Sequence, residues 1–246
     1  MATKKTQSKA DPLRVAVLER ALSILAAFEQ RPGPLSLALL AELTGLHKST
    51  ILRLLVSLED HGYVRRLSDG QYTVGPTLFR LGTIFEKSQT ARDLIVGTLE
   101  ALVAQGTESA SFHVRDGMQR LCLYRVNSNH PTLDTVAAGK HLPLDRGAAG
   151  RVLRAGAGEA GAQMDQVRQT GLALSKGERD SACWALAAPV FGRDRVLLGA
   201  ISLSGPKERF TKESIARMSE LLLDAARKCS ANALSINESQ LSRHGD

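Results

Sequence analysis

The 246-residue sequence predicts an α+β chain. A small helical unit closed by a β-hairpin comes first, then a linker helix, then a larger unit that mixes strands with helices. Three observations predict this. From Ser36 to Val74 an apolar helix, a turn at Gly45-Leu46, a second amphipathic helix and a hairpin follow one another. Gly75-Pro76 then punctuates the chain. Beyond Gln105, alternating strand-like runs are interspersed with helical ones without regular βαβ repetition, which fits α+β and not a doubly wound sheet.

The elements can be justified in order. Met1 to Asp11 is polar, with Lys4, Lys5 and Lys9, and a flexible basic arm is expected over residues 1–13. Such an arm can also touch phosphates. The first helix carries Val17, Ala21, Ile24, Leu25 and Phe28 on one face and ends before Arg31-Pro-Gly-Pro34. In the second helix Ala41 is small enough for a close helix crossing, and Gly45 can take the positive φ of a tight interhelical turn. In the third, Ile51, Leu54, Leu55 and Leu58 follow the i, i+3, i+4, i+7 spacing of an inward face. Tyr63 to Leu67, a Ser-Asp69-Gly70 turn and Gln71 to Val74 complete a hairpin, giving a winged helix-turn-helix over 14–76.

The third helix leaves Lys48, Ser49, Thr50, Arg53 and Ser57 facing outward. Short hydroxyls and an arginine near a helix N-terminus suit a helix lying in a major groove. Arg53 is the expected base reader, since guanidinium meets guanine O6 and N7 bidentately. Lys48, Ser49 and Thr50 can hold phosphates. Arg65 and Arg66 are expected positioning contacts in the wing, and strand alternation turns only one of them toward DNA. The expected partner is double-stranded DNA. A module docking to protein through the same surface is the competing reading, separable by salt-dependent DNA affinity.

Thr77 to Ser88 reads as a helix with Leu78, Leu81 and Phe85 on one stripe, a linker over 77–90 that buries against a partner. Arg92 to Gln105 opens the second domain, 91–246. Ser109 to Arg115, Asp116-Gly117 and Arg120 to Val126 read as a hairpin, and Leu133 to Ala138 as another strand. Asp145 can N-cap a helix through Gly150 to Arg154. Late strands are expected over Ala185 to Phe191 and Val196 to Ser204. The last helix places Ile215, Met218, Leu222 and Ala225 together.

Composition narrows the function. The net charge is +7, with 12 Lys+Arg against 8 Asp+Glu up to Gln89 and 20 against 17 beyond it, a lean toward a basic N-terminal domain. Cys122, Cys183 and Cys229 have no zinc spacing, so no metal is expected and a reduced, cytoplasmic setting is the simple reading. No uncharged run approaches the roughly 20 residues that span a bilayer. Gly156-Ala-Gly158-Glu-Ala-Gly161 has the Gly-x-Gly-x-x-Gly spacing of dinucleotide sites, but a helix and not a strand precedes it, so a helix-ending loop is expected. No Walker loop, nucleophile elbow or His-Glu-x-x-His pair is present, so neither catalytic residues nor a cofactor is expected.

Taken together, the motifs resemble the IclR family of bacterial transcriptional regulators. The resemblance rests on Val17-Leu-Glu-Arg-Ala-Leu-Ser-Ile-Leu25, Gly45-Leu-His-Lys-Ser-Thr-Ile-Leu-Arg-Leu-Leu55 and Gly70-Gln-Tyr-Thr-Val-Gly-Pro76. It continues through Leu142-Pro-Leu144, Ala187-Ala-Pro-Val-Phe191 and Ile201-Ser-Leu-Ser-Gly-Pro206. The resemblance implies a C-terminal GAF/PAS-like effector-binding domain, a homodimer or homotetramer on a palindromic operator, and a small organic acid as effector. It places effector contacts at the backbone of Ala148 and Ala149, at Ser202 and Ser204, at an acid near Glu178, and at a cysteine position held here by Ala185. Cys183, two residues earlier on an extended segment, faces the same way and can substitute. Three departures stand out. His47 replaces a frequent proline. Asp145-Arg146-Gly147 replaces histidine, alanine and a small hydroxyl residue, and Arg146 is expected to pair with an anionic effector. The segment from Ala155 to Arg168 is short, which predicts a missing helix and a reduced pocket wall.

Overall fold

The computed structural model describes residues 15–88, 92–128, 130 and 136–241. The chain divides into two units, the first ending at Ser88 and the second beginning at Gln89. The basic arm expected over 1–13 lies outside the described residues, as does most of the strand expected over Leu133 to Ala138, whose described end is not strand.

The first unit contains α1 (Ala16–Gln30), α2 (Leu37–Thr44), α3 (Lys48–Asp60), a hairpin of β1 (Val64–Arg66) and β2 (Tyr72–Val74), and α4 (Pro76–Ser88). Its core joins Ile24, Ala27 and Phe28 of α1 to Leu40, Ile51, Leu55, Val64 and Tyr72. Each fully buried Leu or Ile side chain here stabilises by about 1.5–3 kcal/mol relative to exposure. Ser36 caps α2 by accepting from the Leu39 N–H at 3.2 Å, and Gly45 ends it at φ 68°. The expected inward stripe of α3 holds: Ile51 and Leu55 are buried, and Leu54 and Leu58 pack against the same core. The N-terminal half of α1 differs from expectation, because Val17 is exposed while the core is met only from Ile24 onward. The wing is tied back by a bridge between Leu35 and Tyr72. At the start of α4 the Thr77 hydroxyl donates to the His61 carbonyl at 2.8 Å.

The second unit is a six-stranded antiparallel sheet covered on both faces. Its elements are α5 (Arg92–Ala104), β3 (Ser109–Asp116), β4 (Gln119–Val126), β5 (His141–Pro143), α6 (Ala148–Gly156), α7 (Ala162–Thr170), β6 (Ala173–Lys176), β7 (Cys183–Phe191), β8 (Leu197–Pro206) and α8 (Lys212–Leu241). The strand order is β5-β4-β3-β8-β7-β6. Period-two alternation sorts the side chains. Phe112, Leu186, Ala188, Val190, Ile201 and Leu203 meet α5 and α8, with Met218 and Leu222 from α8. Ala187 and Ala200 point to the other face, against Val152 and Leu153 of α6 and Met164 and Val167 of α7.

Two expectations for this unit are corrected. The helix expected to be missing after Ala155 is present as α7, because Met164 and Val167 suffice to dock a nine-residue helix on α6. The N-cap of α6 is Gly147, at φ 84°, and not Asp145. Strands β5 and β6, three and four residues long, had no expectation because runs so short carry little periodicity.

Candidate functional site

The first unit exposes one face of α3. Lys48, Ser49, Arg53 and Ser57 are exposed and Thr50 half-buried, as an outward stripe requires. His47 occupies the N-cap position without a side-chain cap bond. The first N–H groups of α3 therefore have neither an intrahelical acceptor nor a side-chain cap, the arrangement that accepts an anion. Thr50, Arg53 and Ser57 also border a groove against Val17 and Arg20 of α1. Sequence reasoning missed Val56, 66% exposed on the same helix one turn beyond Arg53.

The wing separates its two arginines. Arg66 pairs across the hairpin with Tyr72, and its guanidinium lies 5.8 Å from the centre of that ring. Arg65, opposite Thr73, projects to the other face.

The second unit holds a small cavity of about 40 Å³ between the sheet and the start of α6. Gly147, Ala148 and Ala149 form one wall. Ser202 and Ser204 of β8 and Cys183 and Ala185 of β7 form another, all on one strand face as the alternation predicts. Six of the eight residues expected at an effector site thus line one cavity, and Glu178 and Arg146 do not. Glu178 stands behind Gly147: its carboxylate accepts the Gly147 N–H at 2.9 Å and pairs with Arg151. Among the described residues, the acid that lines the cavity is Asp180. Arg146 lies outside, with a side chain 63% exposed and 3.8 Å from Asp145. Glycine at 147 turns the chain so that residue 146 projects to solvent, which the sequence could not reveal.

Sequence reasoning also missed the basic lining, which includes His113, Arg120, Arg125 and Arg179. Arg120 is 5% exposed; its Nε donates to the Pro143 carbonyl at 3.2 Å and its Nη1 lies 3.3 Å from a ring nitrogen of His113. Arg125 donates to Ser111 Oγ at 3.0 Å and to Asn127 Oδ1 at 2.7 Å. Two arginines inside one strand-like run, Arg120 to Val126, were the available signal. Burial of Arg151 lowers its pKa from the ordinary arginine value, the cost of packing an α6 guanidinium against the Leu174 carbonyl and Glu178.

The glycine-rich run is a loop between helices. Gly156 ends α6, Gly158 has φ +78°, and Gly161 precedes α7 at φ +136°. Glu159 inside it binds Arg154 at 2.7 Å and Arg115 at 3.1 Å, so it serves local structure. Among the described residues no group of three His, Cys, Asp or Glu could hold a metal ion, and no helix is long and apolar enough to cross a membrane.

Two family profiles match the chain: the IclR helix-turn-helix domain over residues 17–68, and the bacterial transcriptional regulator IclR C-terminal domain over 160–231. The chain belongs to the IclR family. The protein is therefore a DNA-binding transcriptional regulator with an effector-binding domain, and the family is not one of enzymes. The HTH-type transcriptional regulator KipR of Bacillus subtilis is 24% identical, the match covering 84% of this chain and 92% of KipR. The transcriptional repressor IclR of Escherichia coli is also 24% identical, with 87% and 89% covered. An IclR homologue from Microbacterium hydrocarbonoxydans, solved in complex with 4-hydroxybenzoate, superposes with a TM-score of 0.77 at 16% identity, covering 88% of this chain and 98% of that one. That likeness establishes the shared fold of this IclR-family regulator.

Proposed function

We propose that this regulator binds a palindromic operator as a homodimer or homotetramer, and that a small organic acid from a catabolic pathway, held in the cavity beside α6, controls its DNA affinity or promoter activity. The single observation that carries the acid is the cavity wall itself. The first N–H groups of α6 and a buried guanidinium converge there, and both favour a carboxylate. The 4-hydroxybenzoate bound by the Microbacterium homologue is an acid of this kind. Ala148, Ala149, Ser202, Ser204, Cys183 and Ala185 are the proposed contacts. Glu178 is proposed to hold the α6 wall in place.

For DNA, Arg53 is the proposed base reader, with Lys48, Ser49, Thr50 and Ser57 beside it and Arg65 on the wing. Association through α1 and α4 is supported by their exposed apolar side chains, Leu18 and Leu22 on one, Phe79 at 80% and Ile84 at 63% on the other. Paired recognition helices then enter major grooves one helical turn, about 34–36 Å, or a multiple of it, apart. The effector acts only through different affinities for DNA-competent and incompetent arrangements, typically a coupling of about 1–3 kcal/mol. The place of action is the bacterial cytoplasm, on nucleoid DNA.

Selection of bound fragments from a source-genome library, wild type beside Arg53→Ala at near-physiological salt, tests the DNA part. Enrichment of a palindrome by wild type, weakened in the variant, is the expected result. No enrichment, with or without added metabolite pools, would overturn it.

A further inference from the structure

We propose that the second unit carries another ligand site, a groove between α7, β7 and α8 that takes a ring-sized apolar molecule bearing one carboxylate. The groove encloses about 400 Å³, against about 40 Å³ for the cavity beside α6, and the two share no described lining residue. Small-molecule sites typically enclose about 300–1,000 Å³.

The groove exists because β6 is shorter than β7. Their pairing ends where Ala173 meets Ala187, so Ala188 to Phe191 run on past the edge of the sheet. An uncovered strand edge ordinarily invites another strand. Here its donors are gone. The Cys183 carbonyl accepts the Gly177 N–H at 3.2 Å, which puts the odd-numbered backbone groups of β7 on this edge. Beyond Ala187 these belong to Pro189, which has no N–H, and to Phe191, whose N–H donates to Ser230 Oγ at 3.0 Å. An added strand finds no backbone donor, and the side chains decide what fits.

Pro189, Phe191, Leu223 and Ala226 supply apolar walls. The hydroxyls are spent: Ser230 donates to the Ala226 carbonyl at 2.7 Å, and Thr170 to the Gln166 carbonyl at 2.9 Å. The polar groups left are the Gln169 amide and the Arg227 guanidinium, both on exposed residues and without a partner among the described residues. No acid is among the described lining residues, and the neighbouring Asp224 is held by Lys228 at 2.7 Å. An apolar trough with one cation at its mouth complements an amphipathic anion, whose body leaves water while its carboxylate meets the guanidinium. The Phe191 ring favours an aromatic body through offset or edge contacts.

Calorimetric titration of the full-length protein at fixed ionic strength tests this with 2-naphthoate and its neutral isostere 2-naphthamide, each with and without saturating acetate. The expected result is naphthoate binding at least about tenfold more tightly than naphthamide, as a charge-assisted contact implies, with its affinity unchanged by acetate. Arg227→Gln should bring naphthoate down to the level of naphthamide, and Arg227→Lys should restore part of the difference. Arg227 is exposed, so both variants are expected to fold. Phe191→Ala should weaken both naphthalenes alike. Naphthoate binding that is indifferent to Arg227→Gln, or that acetate displaces, would overturn the groove as the site, as would no binding of either naphthalene. Velocity sedimentation completes the test: a wild-type oligomer that dissociates in Arg227→Gln, with no probe bound, would make the groove an interface between copies and overturn the ligand site.

Discussion

Gly75 lies against the backbone of Gly62 so closely that a Cβ at position 75 would stand 2.1 Å from the Gly62 carbonyl oxygen. The contact joins the end of the wing to the residues after α3, and the Gly75 N–H donates to the Tyr63 carbonyl at 2.7 Å beside it. Gly75→Ala must push these backbones apart. We expect a loss of about 1–3 kcal/mol, as for other overpacked sites, with a matching fall in operator affinity as the wing shifts. Chemical denaturation beside a DNA titration checks it, and an unchanged midpoint would contradict the contact.

The wing arginines should separate in a salt series. Arg65 projects away from the ring that engages Arg66, so Arg65→Ala should weaken specific and random DNA alike and reduce the slope of log affinity against log salt by about one. Arg66→Ala should cost less on DNA and more in wing stability. The reverse order would mean that Arg66 leaves Tyr72 when DNA binds.

Arg53→Ala should cost about 1–3 kcal/mol on the selected operator and clearly less on random sequence, if the guanidinium reads a base. Equal losses on both would make it a phosphate contact.

Arg146→Ala should leave effector affinity unchanged, because the side chain is exposed and sits beside Asp145 outside the cavity. A large loss by calorimetry would place Arg146 over the mouth of the cavity in the bound state.

Acid sensitivity has a local source in Glu159. The hydrogen bond from Arg154 first, then that from Arg115, holds its carboxyl below the usual glutamate range. A depressed folded value means that the stabilisation is complete above the unfolded value and is lost as pH falls through the folded one. Glu159→Gln should flatten that part of the profile of melting temperature against pH and leave the neutral and alkaline limbs unchanged. An acid limb identical to wild type would show the pair to be energetically silent, as solvent-exposed pairs often are.

The sequence by itself determined the winged helix-turn-helix, since its signals are local: a 3.6-residue apolar stripe in α3, Gly45 at a positive φ, and a hairpin turn at Asp69-Gly70. It also determined that Ser202 and Ser204 share a face, because strand alternation needs only adjacent residues. The tertiary structure decided what those faces enclose. Arg120 and Arg125 enter one cavity only because β4 is bulged at Leu123, and a bulge is a feature of pairing with β3, not of β4 alone. Glu178 meets Gly147 across 31 residues of chain, and Arg146 is exposed beside the turn where Gly147 takes φ 84°. Periodicity reports which way a side chain points along its own element. Which charges meet is settled by register and docking between elements distant in sequence.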